Sequence, residues 1–208
     1  MDTVVLLHGI WMKPVVMQAL SMRLRSAGYR TCCFSYPSVS KTPAQNARLL
    51  HDYIQTIEDG KLHFVAHSLG GIVLMHYFSH YQETRPGRVV LLGSPVCGSA
   101  AAHRFSELPL SHITLGKSVE QGLLGGAPAW KGDRQIGMIA GNRSIGIGRF
   151  LGRSDEVNDG AVYLSETQMP LLTDHLTLAV NHTGMLFSAE VARQVIHFLE
   201  NGYFSLSE

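Results

Sequence analysis

The 208-residue chain lacks most of the features that would place it in a specialised class. Its charge is nearly balanced, with 17 Lys and Arg against 16 Asp and Glu. No basic stripe offers itself to nucleic acid, and no block of like charges forms a disordered tail. The three cysteines, Cys32, Cys33 and Cys97, are few and lack a metal-type spacing. Cys32 and Cys33 sit together in an apolar run, which reads as inert core thiols rather than a disulfide. No run approaches the roughly 20 apolar residues needed to span a membrane. The start, "MDTVVLLHGIW", has no basic leader and no small-residue cleavage site, so the chain is expected to begin on a core strand in the cytoplasm. The 11 histidines lack ligand spacing, so no metal is expected. Repeats and low-complexity tracts are absent as well.

What remains is a chain of a length suited to one domain with a sizeable core. Short apolar runs alternate with amphipathic segments. "TVVLLHG", "YRTCCFSYP", "LHFVAHS", "RVVLLGSP", "RQIGMIAG" and "HLTLAV" read as strands, about six in all. Between them lie helical segments, including one opened by Pro43 with Leu49, Leu50, Tyr53, Ile54 and Ile57 on one face. Gly28 ends the first helix, and Ser188 is the expected N-cap of the last. The strands read as buried on both faces. Such repetition predicts a doubly wound, mostly parallel α/β sheet with helices on both sides. Two stretches break the rhythm: 96–131, expected to hold a small cap or lid, and the Gly-, Arg- and Ser-rich loop 142–160.

The stretch "KLHFVAHSLGGIVLMHYF" poses a question of cost. It sets Ser68 between a buried strand and a buried helix with two glycines close behind, although each glycine inside an element costs about 1 kcal/mol relative to alanine. A sharp strand-to-helix turn explains them. It lifts the serine hydroxyl clear at the carboxyl end of a strand, where open α/β sheets bind ligands, and it needs small neighbours such as Ala66 and Gly70. The helix N-terminus then aims its positive end and the Leu69 N–H at the same point.

"AHSLGG" resembles the nucleophile elbow of α/β-hydrolases, in the alanine variant used by some bacterial lipases. The same context would also suit a tight turn in a non-catalytic doubly wound protein. "VVLLHGIW" is similar to the family's His-Gly loop, which implies Ile10 N–H as the second oxyanion donor. A triad in the family order Ser, acid, His requires a histidine after the last core strand. "NHTG" offers His182 there, whereas His175 precedes that strand. "NDGAV" resembles the aspartate segment of several bacterial lipases and implies Asp159 as the acid, with Asp155 the alternative; Asn-Asp-Gly is also strong turn chemistry. "LLGSPVCGSAAA" is similar to a segment of lipases and of their relatives that deacylate lipid anchors. His67, His51, His76, His80 and His197 read as satisfied or surface histidines. By position alone, Trp11, Leu110, Leu123, Leu124, Met185 and Leu186 are candidates to line an acyl pocket.

Other motifs fall away. "HITLGKS" has Ser111 where a phosphate loop needs glycine, and "GIGRFLG" does not open a helix after a strand. The resemblance therefore implies a cofactor-free serine hydrolase acting on a small-molecule or lipid acyl ester, with no nucleic-acid partner and no membrane span. Peripheral lipid contact and oligomeric state are left open. Thioesterases and acyltransferases use the same triad. A rival of another class is an α/β-hydrolase-like protein that binds a hydrophobic ligand or partner without catalysis.

Overall fold

The computed structural model describes residues 1–58, 60–108, 114–144 and 156–205. Six strands form one sheet in the order β2-β1-β3-β4-β5-β6. They are β1 (Thr3–Leu7), β2 (Arg30–Phe34), β3 (Leu62–His67), β4 (Val89–Leu92), β5 (Ile136–Gly141) and β6 (Asp174–Leu178), and every pairing is parallel. Parallel neighbours need crossovers, which here carry α1 (Gln18–Ser26), α2 (Pro43–Ile54) and α3 (Leu69–His80). A short helix, α4 (Ala100–Ser106), lies in the stretch after β4, and α5 (Ala189–Asn201) closes the fold.

Side-chain alternation along the strands sorts the core into two layers. Val5 and Leu7 of β1 face one way, joining Leu50 and Ile54 of α2 and Ile72 and Val73 of α3. Val4 and Leu6 face the other way, joining Leu20 and Leu24 of α1 and Val191, Val195 and Phe198 of α5. The central strands β1, β3, β4 and β5 are buried throughout, but the edge strands are not. In β2 Arg30 is exposed, and β6 has no fully buried residue, because each edge strand has a neighbour on one side only.

Local signals act where expected. Pro43 occupies the first turn of α2, with Thr42 and Gln45 in a reciprocal capping box. The Ser188 side chain accepts the Val191 N–H at 3.2 Å and starts α5. Cys32, Cys33 and Cys97 are all free. No described helix is long and apolar enough to cross a membrane.

The chain enters the sheet at β1, one strand in from the edge, builds outward to β2, then returns past β1 to β3. The direction of winding therefore reverses between β1 and β3, and the loops after those strands diverge to leave a crevice at the carboxyl edge.

Several histidines are enclosed by this packing. His63 accepts the Arg88 N–H on Nδ1 at 3.0 Å, while its Nε2 lies 3.7 Å from Asp2. Burial is the main cause that pulls its pKa from 6.5 down to about 4. Burial likewise lowers His8, His67, His76 and His175. Between pH 6.5 and about 4 the unfolded chain takes up a proton at position 63 that the folded chain resists. Stability should therefore fall as pH drops through that window. Urea midpoints measured from pH 7 to pH 4 are expected to decline, and His63→Asn should make the decline shallower.

Candidate active site

The site is built on the turn between β3 and α3. Ser68 has φ 53° and ψ −121°, one of three non-glycine residues with positive φ among those described. Such a conformation costs on the order of 1–3 kcal/mol and persists only where its surroundings enforce it. Here the Ser68 N–H donates to Leu92 O at 2.9 Å, tying the turn to β4. The glycines behind it let the helix seat against the sheet. A Cβ on Gly71 would fall 2.3 Å from Ser94 Oγ, and one on Gly70 would fall 2.9 Å from Leu7 Cβ. Helix α3 is thereby held against the ends of β1 and β4, and it is buried from Leu69 to Phe78.

Asp159 and His182 come together from loops after β5 and β6. His182 Nδ1 stands 2.7 Å from Asp159 Oδ2, and the His182 N–H donates to Asp159 O at 2.8 Å. Asp159 is 1% exposed, so its carboxylate needs partners. The second oxygen, Oδ1, accepts the N–H groups of Ala161 and Val162 at 2.9 and 2.8 Å. These bonds fix the aspartate on its turn and leave Oδ2 for the imidazole. With the carboxylate accepting, Nδ1 carries the proton and Nε2 of His182 keeps its lone pair. Gly93, at φ +54°, passes close to the pair: a Cβ there would lie 3.0 Å from Asp159 Oδ2 and 3.1 Å from His182 Nδ1.

The loop after β1 forms the facing wall. His8 Nδ1 lies 2.8 Å from Gly9 O, and its ring stacks on Tyr36 with centroids 4.3 Å apart. The Tyr36 hydroxyl donates to His8 O at 2.5 Å. Trp11 also has positive φ, and its indole N–H donates to Thr114 O at 2.6 Å.

His67 has a larger part than a filler of the turn. Its Nε2 lies 3.0 Å from His182 O, and the two rings are 4.6 Å apart. Since a carbonyl can only accept, Nε2 is the protonated nitrogen. Burial first, and the neighbouring His182 second, hold its pKa well below the ordinary value. It therefore supports the His182 backbone as a neutral donor. Its place next to Ser68 was the only sequence signal. The sequence leaves Glu166 between orienting the aspartate loop and lying exposed; it is buried. Its Oε1 accepts the Ala100 N–H at 2.5 Å and its Oε2 the Tyr163 N–H at 2.9 Å, joining the aspartate loop to α4. Burial raises its pKa, against the pull of those two N–H groups.

Ser68 and His182 open on a cavity of about 110 Å³, which Ile10, Trp11 and Leu123 also line. Phe105, Leu115 and Val162 line it too, none of them anticipated from position. Leu124 packs instead against the core layer of α2 and α3. Met185 and Leu186 are fully buried in the opposite layer, because the 3-10 turn Gly184–Leu186 directs them beneath α5. That corrects their assignment to the pocket. Leu110 and Asp155 lie outside the described residues.

A larger concavity, of about 920 Å³, opens at the opposite end of the sheet. Its arginines are engaged with backbone: Arg85 donates to Ile57 O at 3.1 Å, Arg88 to Leu199 O at 2.6 Å and Arg134 to Leu62 O at 2.5 Å. Chemistry is therefore assigned to the smaller cavity. Among the described residues no three His, Cys, Asp or Glu side chains converge as metal ligands.

A family model described as "Alpha/beta hydrolase family" matches residues 4–193. No curated protein matches the sequence. Among solved structures, a mature lipase from Bacillus licheniformis superposes with TM-score 0.70 at 18% identity, covering 97% of this chain and 91% of that one. An esterase from Exiguobacterium antarcticum gives 0.65 at 14% identity, with 97% and 92% covered. A pyrethroid hydrolase from Sphingobium faniae gives 0.63 at 14%, with 96% and 98% covered. At these identities the likeness establishes the fold.

The crowding at Gly93 is open to test against Gly28, which also has positive φ but no atom within 4 Å of an added Cβ. Gly28→Ala should cost only the left-handed backbone penalty, about 1–2 kcal/mol. Gly93→Ala adds a tight contact that the Asp159–His182 pair must relieve by a few tenths of an ångström, and it should cost more than Gly28→Ala in urea unfolding.

Proposed function

Because the chain belongs to the alpha/beta hydrolase family, we propose that it is a serine hydrolase that cleaves carboxylic esters through an acyl-enzyme intermediate. The observation that carries this reading is one cavity lined both by the positive-φ Ser68 and by His182, whose imidazole is bonded to the buried Asp159. Ser68 is the nucleophile, His182 the general base and Asp159 the group that fixes the imidazole tautomer. Nε2 of His182 takes the hydroxyl proton as Ser68 Oγ bonds to the ester carbonyl carbon. The carbonyl π electrons move onto oxygen, where the N–H groups of Leu69 and Ile10 receive them. Leu69 suits this role because the first N–H groups of a helix have no acceptor within it. Each such donor contributes about 3–4 kcal/mol to the barrier reduction.

Collapse of this intermediate breaks the bond to the ester oxygen, and His182 returns its proton to the departing alcohol. Water then enters, gives a proton to His182 and attacks the acyl-serine. The carboxylic acid leaves and Ser68 Oγ regains the proton. Neither step calls for a group beyond these side chains, the two backbone N–H groups and water. The same machinery serves thioesters and acyl transfer to an alcohol. The cavity beside Ser68 is predominantly apolar, which supports an acyl chain as its occupant.

A fluorophosphonate probe with intact-mass detection and peptide mapping tests the reading. Wild type is expected to label at Ser68, and Ser68→Ala not at all. His182→Ala should slow labelling by three or more orders of magnitude, and Asp159→Asn by a similar factor through loss of the correct tautomer. Absence of labelling in folded wild type would instead favour a protein that binds an apolar ligand without turning it over.

A further inference from the structure

The cavity beside Ser68 is small, and one of its walls is fixed. Leu123, 5% exposed, is held at both backbone ends: its N–H donates to Ser118 O at 3.3 Å, and its carbonyl accepts the Ser99 N–H at 2.8 Å. The segment that bears Ala102 and Phe105 is anchored separately. Ser99 caps α4 by accepting the Ala102 N–H at 3.2 Å, and Glu166 holds the Ala100 N–H. The Cys97 N–H donates to Glu166 O at 3.3 Å, and Trp11 reaches across to Thr114 O. Four separate attachments thus join these segments: two to the aspartate loop, one to the loop after β1 and one to Leu123.

Volume decides what such a chamber admits. An apolar cavity of about 150 Å³ takes up benzene, with six carbons, so 110 Å³ corresponds to about four. The walls that bound this volume, Leu115, Leu123 and Ala102, are themselves buried and cannot turn aside into solvent.

Resting on the reading of the site as a serine ester hydrolase, we infer that the substrates are short-chain acyl esters, from acetyl to butyryl, taken from solution beneath a fixed cap. Leu123 and Ala102 set the length limit. The anchored roof separates this enzyme from one that opens a lid at a lipid surface, since moving α4 would break the Glu166–Ala100 bond and moving Thr114 would break the Trp11–Thr114 bond. Each methylene that fits gains buried apolar area, worth about fourfold in kcat/KM. The first methylene that does not fit loses about tenfold or more.

The test measures kcat/KM for 4-nitrophenyl acetate, butyrate and octanoate below their solubility limits, alongside fluorophosphonate labelling of the same samples. Butyrate is expected to exceed acetate, and octanoate to fall at least tenfold below butyrate. Leu123→Ala should raise the octanoate-to-acetate ratio at least tenfold. Ala102→Val, which narrows the same chamber, should lower the butyrate-to-acetate ratio, so the inference does not depend on the Leu123 variant folding. With tributyrin, the rate should saturate without a jump when droplets form. A wild type that labels at Ser68 but prefers octanoate, or that accelerates sharply on emulsified tributyrin, overturns the inference and leaves the hydrolase reading standing. Absence of Ser68 labelling removes both.

Discussion

Everything at the site depends on how closely the first turn of α3 approaches the sheet. Gly71 lies where any side chain would strike Ser94, and Gly70 where it would strike the end of β1. Because the helix sits this deep, the single residue joining it to β3 must reverse direction sharply, and Ser68 accepts a positive φ to do so. The local penalty is offset by burial of α3 along ten successive residues, a gain far larger than the strain. The position of Ser68 and its backbone conformation thus share one cause. The same turn presents the hydroxyl to the crevice and aims the helix N-terminus at it.

The second constraint is a buried negative charge. Asp159 is enclosed beside the sheet, where an unpaired carboxylate would be severely unfavourable. Two backbone N–H groups and one imidazole N–H satisfy it, and all three come from segments whose own geometry is fixed by that need. His67 and Gly93 extend the arrangement on either side, one bonded to the His182 carbonyl and the other making room for the pair. Glu166 carries the aspartate loop's position outward to α4. Chemistry and pocket shape are therefore mechanically connected, although they lie on segments far apart in sequence.

How legible this was in the sequence varies with the range of the interaction. The six strands and the parallel architecture follow from apolar runs whose burial on both faces is a local pattern. Only the edges misled, because an apolar run such as "RTCCF" looks the same whether one neighbour or two will flank it. "AHSLGG" was readable because its spacing encodes the close approach directly. Asp159 and His182, brought to 2.7 Å, were readable only through resemblance and chain order, since nothing local marks a contact across two loops. The pocket was the least legible part. A residue's place after His182 says nothing of which way a 3-10 turn will face, so Met185 and Leu186 went to the core, while Phe105 and Leu115 arrived from a stretch with no clear periodicity.

The central claim is that Ser68, the Asp159–His182 pair and the N–H groups of Leu69 and Ile10 converge on one reacting centre. The most direct test is a crystal structure of the phosphonylated protein, in which phosphorus mimics the tetrahedral carbon. The account predicts phosphorus bonded to Ser68 Oγ, with its free oxygen about 2.7–3.1 Å from the Leu69 and Ile10 nitrogens and His182 Nε2 facing the serine oxygen. An adduct on another residue, or one whose oxygen points to solvent away from both N–H groups, would contradict it.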